Sequence, residues 1–315
     1  MTHRIHTIIG ARPQFIKAGA FSRSLKKYPD IMETIIHTGQ HFDANMSDVF
    51  FRELDIPKPQ YYLNINSGFH GQMTGRMLEG IEAILKQDKP DAVLVCGDTN
   101  STLAGALSAS KLHIPVIHIE AGLRSFNRKM PEEINRVLTD HISQYLFCPT
   151  KTAVENLHNE GIKNGVHHVG DIMYDATLYA MDYIKTNFTV HQKLMGLPSE
   201  FAFMTMHRAE STESMQEFQA MMAYVLCFAK KHDLKIIFPV HPRTRALVQK
   251  MQLDDTFIIL EPLSYFETQY CLSKASFVLT DSGGLQKEAY FHRVPCITLR
   301  SETEWVETIE CGWNR

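Results

Sequence analysis

The sequence predicts an α/β protein of two Rossmann-like, doubly wound parallel-sheet domains that face each other across a cleft. Its 315 residues are too many for one ordinary core and suit two domains of about 150 residues each. Short β-branched runs, apolar almost throughout, alternate with helical patterns, as in parallel sheets covered by helices on both faces. The pattern restarts near residue 200. We therefore expect an N-terminal domain at residues 1–172 and a C-terminal domain at residues 173–315.

The first domain begins with six predicted strands separated by helices. The strands are Ile5–Ile9, Thr34–His37, Ala92–Cys96, Val116–Ile119, Tyr145–Cys148 and Val166–Val169. The intervening helices are Ala18–Lys27, Gly71–Lys86, Ser101–Lys111, Glu132–Ser143 and Thr152–Glu160, followed by a helical segment at Gly170–Phe188. Residues 189–198 then form the crossover into the second domain.

The second domain repeats this alternation. Its predicted strands are Ala202–Met206, Ile236–Val240, Phe257–Leu260, Phe277–Thr280 and Cys296–Leu299. A long helix at Glu213–His232 and shorter ones at Tyr265–Ser273 and Leu285–Phe291 connect them. In such sheets ligands bind beyond the carboxyl ends of the strands, so we expect the functional residues directly after the strands.

Composition excludes several classes of function. The net charge of -3 comes without a basic stripe, so we expect no nucleic-acid partner. The N-terminal apolar run is too short for a signal peptide, and no stretch approaches the ~20 apolar residues of a membrane helix, so we expect a cytoplasmic protein. The six scattered cysteines favour buried free thiols, and the sixteen histidines lack metal-binding spacing. We expect no metal site.

The first strand runs into Gly10-Ala11-Arg12-Pro13-Gln14-Phe15-Ile16-Lys17. A dinucleotide fingerprint would have three glycines here, and only Gly10 is present, so nicotinamide cofactors are disfavoured. Arg12 and Lys17 instead supply two cations beside a helix N-terminus, which suits a phosphate. The alternative is an ordinary surface pair of basic residues.

Carboxylates follow the next strands of the first domain. Asp98 ends the strand Ala92–Cys96, and Glu120 ends Val116–Ile119. Glu132 follows in Pro131-Glu132-Glu133-Ile134-Asn135-Arg136, where it shares a helix face with Arg136 at i,i+4 spacing. As structural alternatives, Asp98 is a helix N-cap and Glu132 an acid that suits the first turn of a helix.

The second domain places basic residues and a glycine turn at its strand ends. His207 and Arg208 follow one strand, and His241 and Arg243 follow the next; a lone histidine there is more often structural. A strand end, a turn and a helix are predicted in the segment Thr280-Asp281-Ser282-Gly283-Gly284-Leu285-Gln286-Lys287-Glu288. Ser282, Gly283 and Gly284 would offer free N–H groups to a pyrophosphate, and Glu288 could accept hydrogen bonds from ribose hydroxyls. The alternative is a simple helix-entry turn.

Taken together, these segments resemble the non-hydrolysing UDP-N-acetylglucosamine 2-epimerases over essentially the whole chain. The similarity rests on the motifs GARPQFIK, GDTNSTLAGALSA, HIEAGLRS, MPEEINR, His207-Arg208-x-Glu210 and TDSGGLQKEA in family order. The resemblance implies a glycosyltransferase-B-like architecture, a role in polysaccharide biosynthesis, a homodimer, and neither metal nor redox cofactor. It also implies that the C-terminal domain lacks about one strand-and-helix unit.

The resemblance assigns roles residue by residue. Asp98, Glu120 and Glu132 match the catalytic carboxylates. Lys17 and His207 are expected to act in catalysis and also to bind UDP. The other UDP-binding positions are Arg12, Arg136, Ser282, Gly283, Gly284 and Glu288. The implied reaction removes the C2 proton as UDP leaves C1, forms a 2-acetamidoglucal, and re-adds UDP after protonation from the other face. Which carboxylate is base and which is acid stays open.

The chain departs from the family pattern in several places. The segment after His207-Arg208 reads Ala209-Glu210-Ser211, with one cation fewer, and Ser67-Gly68 and residues 40–43 differ from the stretches of substrate-activated members, which disfavours allosteric activation. Tyr265 or Phe266 would have to replace a uracil-stacking aromatic, since Thr268 stands near that position.

The substrate and the reaction both have alternatives. Ser301–Glu307 and His241-Pro242-Arg243 look like members acting on UDP-2,3-diacetamido-2,3-dideoxyglucuronate, whose carboxylate Arg243 or Arg124 could bind. A UDP-sugar glycosyltransferase would need an acceptor groove, and it leaves three carboxylates unexplained. A catalytically inactive UDP-sugar binder and a hydrolysing relative are the remaining alternatives.

Overall fold

A computed structural model describes residues 2–40, 51, 53–187, 190, 192, 194–207, 214–300, 303 and 305–315. The chain divides into two compact units, Met1–Ala176 and Thr177–Arg315. Each unit has its own parallel sheet.

Unit 1 is built on a seven-stranded parallel sheet of order β3-β2-β1-β4-β5-β6-β7. Its strands are β1 (His3–Ile9), β2 (Ile31–His37), β3 (Tyr61–Tyr62), β4 (Ala92–Cys96), β5 (Val116–Ile119), β6 (Tyr145–Cys148) and β7 (Val166–His168). Its helices are α1 (Arg12–Leu25), α2 (His70–Asp88), α3 (Asn100–Lys111), α4 (Pro131–Ile142) and α5 (Lys151–Asn159). Helix α6 (Ile172–Thr186) runs on into unit 2.

Unit 2 is built on a five-stranded parallel sheet of order β10-β9-β8-β11-β12. Its strands are β8 (Phe201–Thr205), β9 (Lys235–Pro239), β10 (Phe257–Leu260), β11 (Phe277–Thr280) and β12 (Cys296–Thr298). The helices are α7 (Met215–His232), α8 (Pro242–Gln249), α9 (Tyr265–Lys274), α10 (Gly283–Phe291) and α11 (Val306–Glu310).

Burial explains the apolar strands. The central strands of both sheets are covered on both faces: Val93, Leu94 and Val95 on β4 are fully buried, and so are Ile236, Ile237 and Phe238 on β9. Four cysteines are buried and two, Cys227 and Cys311, are exposed, and all six are free thiols. Within the described ranges, no helix is long and apolar enough to cross a membrane.

The fold class predicted from the sequence is confirmed, with local differences. Helix α1 begins at Arg12 rather than Ala18, because Pro13 stands in the first turn, where its missing N–H costs nothing. The short strand β3 and the helices α8 and α11 were not predicted. Helix α8 also has a proline at its first position, in the motif His241-Pro242-Arg243.

Candidate active site

The candidate residues of both units lie near the point where the strand order of each sheet reverses. In unit 1 this point lies between β1 and β4, and in unit 2 between β8 and β11. Connections leave these strand pairs in opposite directions, which opens a crevice beyond their carboxyl ends. The predicted site residues therefore follow the strands at which an open α/β sheet binds its ligand.

Lys17 and Glu120 form a buried ion pair in unit 1. Lys17 lies on the second turn of α1, and Glu120 follows β5. Lys17 Nζ donates a hydrogen bond to Glu120 Oε2. The side chains are only 8% and 10% exposed. Gly97, at the end of β4, passes directly beside the pair: a Cβ atom on Gly97 would lie 3.2 Å from both Lys17 Nζ and Glu120 Oε2.

The environment shifts the pKa of both partners. Burial raises the pKa of the Glu120 carboxyl; Lys17 opposes this, while Asp171 and Asp98 raise it further. Burial alone would lower the pKa of Lys17, but Glu120 more than compensates, so the pKa of this ammonium group lies above its ordinary value. The site thus holds a firmly protonated lysine beside a carboxyl group with increased proton affinity.

Asp98 is paired with Arg136 rather than serving as a helix cap. Arg136 Nη2 donates to Asp98 Oδ2, and Arg136 Nη1 donates to Glu133 Oε2 at 3.1 Å. The N-cap of α3 is Thr99, whose side chain accepts from the Thr102 amide. The capping alternative for Asp98 is therefore wrong, and its carboxylate, 31% exposed, remains within reach of solvent.

Glu132 and Glu133 occupy different environments in the first turn of α4. Glu133 is buried and accepts hydrogen bonds from Ser125 N, Ser125 Oγ and Phe126 N. Glu132 is half-buried, and among the described residues its side chain has no hydrogen bond. Arg136 thus pairs with Glu133 at i,i+3, not with Glu132 as the i,i+4 spacing had indicated. Glu132 stays available for another role.

Gln14 holds the turn between β1 and α1 against the end of β4. Its Oε1 accepts from the amides of Gly10 and Ala11 at 2.8 and 3.0 Å. Its Nε2 donates to Cys96 O and to Thr102 Oγ1, each at 3.0 Å. Gln14 was not predicted as a site residue from the sequence, because a glutamine near Arg12 and Lys17 in the first turns of α1 does not stand out. Through this anchor α1 presents Arg12, which is half-buried at its first position, and Lys17.

In unit 2, His207 and Asp281 connect the ends of β8 and β11. The His207 amide donates to Asp281 Oδ2 at 2.9 Å, and His207 Nδ1 lies 3.5 Å from Asp281 Oδ1. Asp281 is fully buried, whereas the His207 side chain is 39% exposed, with its ring 5.5 Å from that of His241. Asp281 thus holds the backbone at His207 and lies beside its accessible imidazole. Asp281 lies in the motif TDSGGLQKEA, but it was not predicted as a site residue.

The glycine turn after β11 begins helix α10. Ser282 is its N-cap and accepts from the Leu285 amide at 3.4 Å, while Gly283 and Gly284 are the first two helical residues. A Cβ atom on Gly284 would meet nothing closer than Ser282 Oγ at 3.9 Å, so this first turn is open to an approaching group. Such an end carries free amides and a partial positive charge, which suit an anion. Glu288 is buried one turn further on.

Two substrate contacts proposed from the sequence do not fit the structure. Arg124 is buried, with Nε and Nη2 bound to Glu160 at 2.7 and 2.8 Å and Nη1 bound to Asp140 at 2.7 Å, so its guanidinium is already occupied. Tyr265 and Phe266 are each 1% exposed, and Phe266 stacks on Tyr183 with ring centroids 4.1 Å apart. Neither aromatic ring can stack on uracil in this arrangement. Arg208 to Ser211, Ser301, Glu302, Glu304 and the Arg243 side chain lie outside the described residues.

Fold and site together define a GT-B-like α/β protein with paired acids and cations at the strand ends of one sheet and an anion-suited helix start at the other. Residues 23–315 match the family model for UDP-N-acetylglucosamine 2-epimerase. The chain belongs to the UDP-N-acetylglucosamine 2-epimerase family. Epimerases are isomerases, so the enzyme class predicted from the sequence is confirmed as well.

Individual relatives agree with this assignment over nearly the whole chain. A UDP-N-acetylglucosamine 2-epimerase homolog of Methanococcus maripaludis is 53% identical over 99% of this chain and 87% of its own length. The UDP-2,3-diacetamido-2,3-dideoxy-D-glucuronate 2-epimerase of Pseudomonas aeruginosa is 49% identical over the same shares. The crystal structure of Methanocaldococcus jannaschii UDP-GlcNAc 2-epimerase in complex with UDP-GlcNAc and UDP aligns with a TM-score of 0.93 at 46% identity, covering 99% of this chain and 88% of that one.

Proposed function

We propose that this protein is a non-hydrolysing UDP-N-acetylglucosamine 2-epimerase. It inverts C2 by eliminating UDP, through a 2-acetamidoglucal, and adding UDP back after protonation from the opposite face. The observation that carries the proposal is the group of acids and cations after β1, β4 and β5, in which Lys17 pairs with Glu120 and Arg136 with Asp98. Family membership supplies the substrate class.

The chemistry needs such a group because the C2 proton has no adjacent carbonyl to acidify it. Breaking the C1–O bond together with the C2–H bond avoids a free carbanion, provided that a base and an acid lie on opposite faces of the sugar. Asp98, Glu120 and Glu132 are the candidates for these two roles. The raised pKa of Glu120 suits a group that must take up and return a proton near neutral pH.

The departing pyrophosphate must be stabilised while it waits for re-addition. Fixed cations and amide dipoles contribute a few kcal/mol each when water is excluded. In unit 1 we assign this role to Arg12, Lys17 and Arg136. In unit 2 we assign it to His207 and the amides of the Ser282-Gly283-Gly284 turn. Glu288, which is buried one turn into α10, is assigned to the ribose hydroxyls.

Turnover in deuterated water tests the proposed reaction. UDP-N-acetylglucosamine is incubated with the protein in D₂O, and the C2 proton is followed by NMR. We expect deuterium at C2 of both epimers with UDP still attached, and loss of exchange in Glu120→Gln. Glu79→Gln, on the exposed face of α2, serves as the matched control. Release of free sugar would support a hydrolase, transfer to an acceptor a glycosyltransferase, and UDP affinity without exchange a binder.

A second substrate is favoured by one finding, the 49% identity to an epimerase named for UDP-2,3-diacetamido-2,3-dideoxy-D-glucuronate. That sugar carries a carboxylate, which calls for one more cation than the N-acetylglucosamine substrate. Arg124 is occupied by Glu160 and Asp140, so Arg243 is the remaining candidate from the sequence. Parallel kcat/KM measurements with the two UDP-sugars decide between them. A loss confined to the uronate in Arg243→Gln would support the uronate as substrate, and equal values for both sugars would exclude it.

We also propose that the protein works as a cytoplasmic homodimer in polysaccharide biosynthesis, with the domains divided near residues 172 and 173. The support is the family resemblance together with the division of the chain after Ala176. Light scattering after gel filtration measures the oligomeric state, and a monomeric mass with full activity would contradict the homodimer.

A further inference from the structure

We infer that His118 is a positioning residue, which holds the turns carrying Asp98 and Glu120 in register for proton transfer. The inference rests on the proposed function, since it concerns the placement of the groups that act on C2. His118 stands in the middle of β5, in the run Val-Ile-His-Ile, and is fully buried. A buried polar side chain in an apolar strand is costly unless its hydrogen bonds are made.

Both ring nitrogens of His118 have an acceptor. Nε2 lies 2.8 Å from the carbonyl oxygen of Gly97, the residue before Asp98. Nδ1 lies 2.7 Å from Asp140 Oδ1. A carbonyl oxygen can only accept, so Nε2 carries a hydrogen and donates it.

The remaining contacts show that Asp140 is ionised. Its Oδ2 accepts from Arg124 Nη1 at 2.7 Å and from the amide of Gly122 at 3.1 Å. The bond to the guanidinium is much stronger when the carboxyl group is ionised. Burial opposes ionisation, but His118 and Arg124 keep the pKa of Asp140 below its ordinary value. The nearby Cys148 thiol is neutral, because burial raises its pKa to about 12. Asp140 thus binds the ring of His118 at Nδ1, while Nε2 binds the Gly97 carbonyl.

The result is one chain of hydrogen bonds between two turns. It runs from the Gly97 carbonyl through His118 and Asp140 to the amide of Gly122, two residues after Glu120. Gly97 has a φ of +67° and lies against the Lys17–Glu120 pair. A shift of this turn would move Asp98 relative to Glu120, and a displacement of about 1 Å can cost about a hundredfold in rate.

Two substitutions separate positioning from stability. In His118→Asn the amide nitrogen stands near the Nδ1 position, so the bond to Asp140 is kept and that to Gly97 is lost. In His118→Gln the amide nitrogen stands near Nε2, so the bond to Gly97 is kept and Asp140 loses a partner. Kinetics with UDP-N-acetylglucosamine and thermal unfolding are measured on both variants of the full chain.

We expect the two rankings to be opposite. His118→Asn should lose about ten- to a hundredfold in kcat with KM nearly unchanged, whereas His118→Gln retains most of the activity. His118→Gln should be the less stable protein, since it leaves a buried carboxylate with one bond fewer. Activity that falls in parallel with stability, with His118→Gln the worse enzyme, would overturn the inference.

A measurement on the unmodified protein covers the case in which a variant does not fold. Long-range ¹H–¹⁵N NMR of the histidine rings should show Nε2 of His118 carrying a hydrogen that exchanges slowly with water, because it donates to the buried Gly97 carbonyl. An Nε2 without a hydrogen would overturn the inference. Exchange at C2 by the unmodified enzyme in D₂O tests the proposed function separately. If that exchange is absent, the reaction is wrong whatever the state of His118.

Discussion

At the scale of single residues, the Lys17–Glu120 pair sets the local charge of the candidate site and contributes to the stability of the folded protein. Two charges with side chains 8% and 10% exposed have lost most of their hydration, and each depends on the other to offset that loss. Removing one partner leaves the other uncompensated. Substitution of either residue should therefore destabilise the protein more than the loss of an exposed ion pair would.

Replacing Lys17 by methionine should therefore destabilise the protein in a pH-dependent way. Without the ammonium, burial, Asp171 and Asp98 all raise the pKa of Glu120 above its unfolded value. The folded state then binds a proton more tightly than the unfolded chain, so stability is regained as pH falls. We expect a loss of about 3–5 kcal/mol near pH 8 that shrinks toward about pH 5, measured by urea unfolding.

Lys26 provides the matched control on the same stretch of chain. It pairs with Asp55, but the two side chains are 55% and 57% exposed. Lys26→Met should cost less than about 1 kcal/mol and show little pH dependence. Equal losses in the two variants would contradict the role given to burial.

Gly97 provides a second residue-scale prediction, because its backbone lies in the left-handed region against the ion pair. Gly97→Ala introduces backbone strain of about 1–2 kcal/mol and a methyl group 3.2 Å from Lys17 Nζ and Glu120 Oε2. Gly161→Ala has the same strain, at φ +86°, with nothing within 4 Å. Gly97→Ala should lose at least as much stability as Gly161→Ala in thermal unfolding, and it alone should lose at least about tenfold in kcat. Normal turnover by Gly97→Ala would exclude a close approach of this turn to the reacting groups.

The sequence identified Asp98 and Glu120 because each follows a predicted strand, and parallel strands end at the same edge of a sheet. It could not separate Glu132 from Glu133. The i,i+4 spacing favoured Glu132 as the partner of Arg136, whereas Glu133 turns inward to cap the preceding loop at Ser125 and Phe126. That loop conformation depends on contacts distant in sequence, so spacing along one helix does not reveal it. His118 and Gln14 were missed for the same reason.

At the scale of elements, helix starts account for most of the site in unit 2. Both α9 and α10 begin with a serine N-cap, Ser264 and Ser282, whose side chains accept from Glu267 N and Leu285 N. Only the α10 turn follows β11 at the point where the strand order reverses. Both caps are serine hydroxyls, but the Ser264 amide also donates to Glu267 Oε2 at 2.8 Å, and the two helices differ in their place in the sheet.

This likeness allows a matched test of the UDP site. Ser264→Ala and Ser282→Ala should each lose about 1 kcal/mol of stability, the usual value of an N-cap. UDP affinity, measured by calorimetry, should fall severalfold in Ser282→Ala, where the cap orients the amides that bind phosphate. It should not change in Ser264→Ala. An equal loss of affinity in both would show only general destabilisation.

Strand positions were predicted more accurately than helix starts, and the physical reason is burial. A strand covered on both faces, such as β4, must be apolar along its length. The strands β4, β5, β6, β10 and β11 all match their predicted bounds. Helix α1 starts earlier than its apolar pattern indicates, because Pro13 suits the first turn and Gln14 is held by hydrogen bonds to Cys96 and Thr102. Helix α8 has a mixed sequence, Pro242-Arg243-Thr244-Arg245, in which periodicity is weak.

At the scale of the whole molecule, each unit contains the parts of an independent domain. The core of unit 2 includes Phe203, Phe218 and Phe238, all of which are fully buried or nearly so. All strands of its sheet come from within the unit. Domains of this size with their own core commonly fold alone. The chemical roles are divided in the same way, with acids in unit 1 and the glycine turn in unit 2.

A fragment of residues 172–315 should therefore fold and bind UDP without catalysing exchange. The fragment keeps His207, Asp281 and the α10 turn but lacks Asp98, Glu120 and Glu132. Saturating UDP, at about a hundred times Kd, should stabilise it by about 2.7 kcal/mol, seen as a rise in Tm that is reduced in Ser282→Ala. Deuterium exchange at C2 should be absent even at high fragment concentration. Exchange catalysed by the fragment would refute the assignment of proton transfer to the acids of unit 1. A folded fragment without UDP affinity would refute the expectation that unit 2 binds UDP by itself.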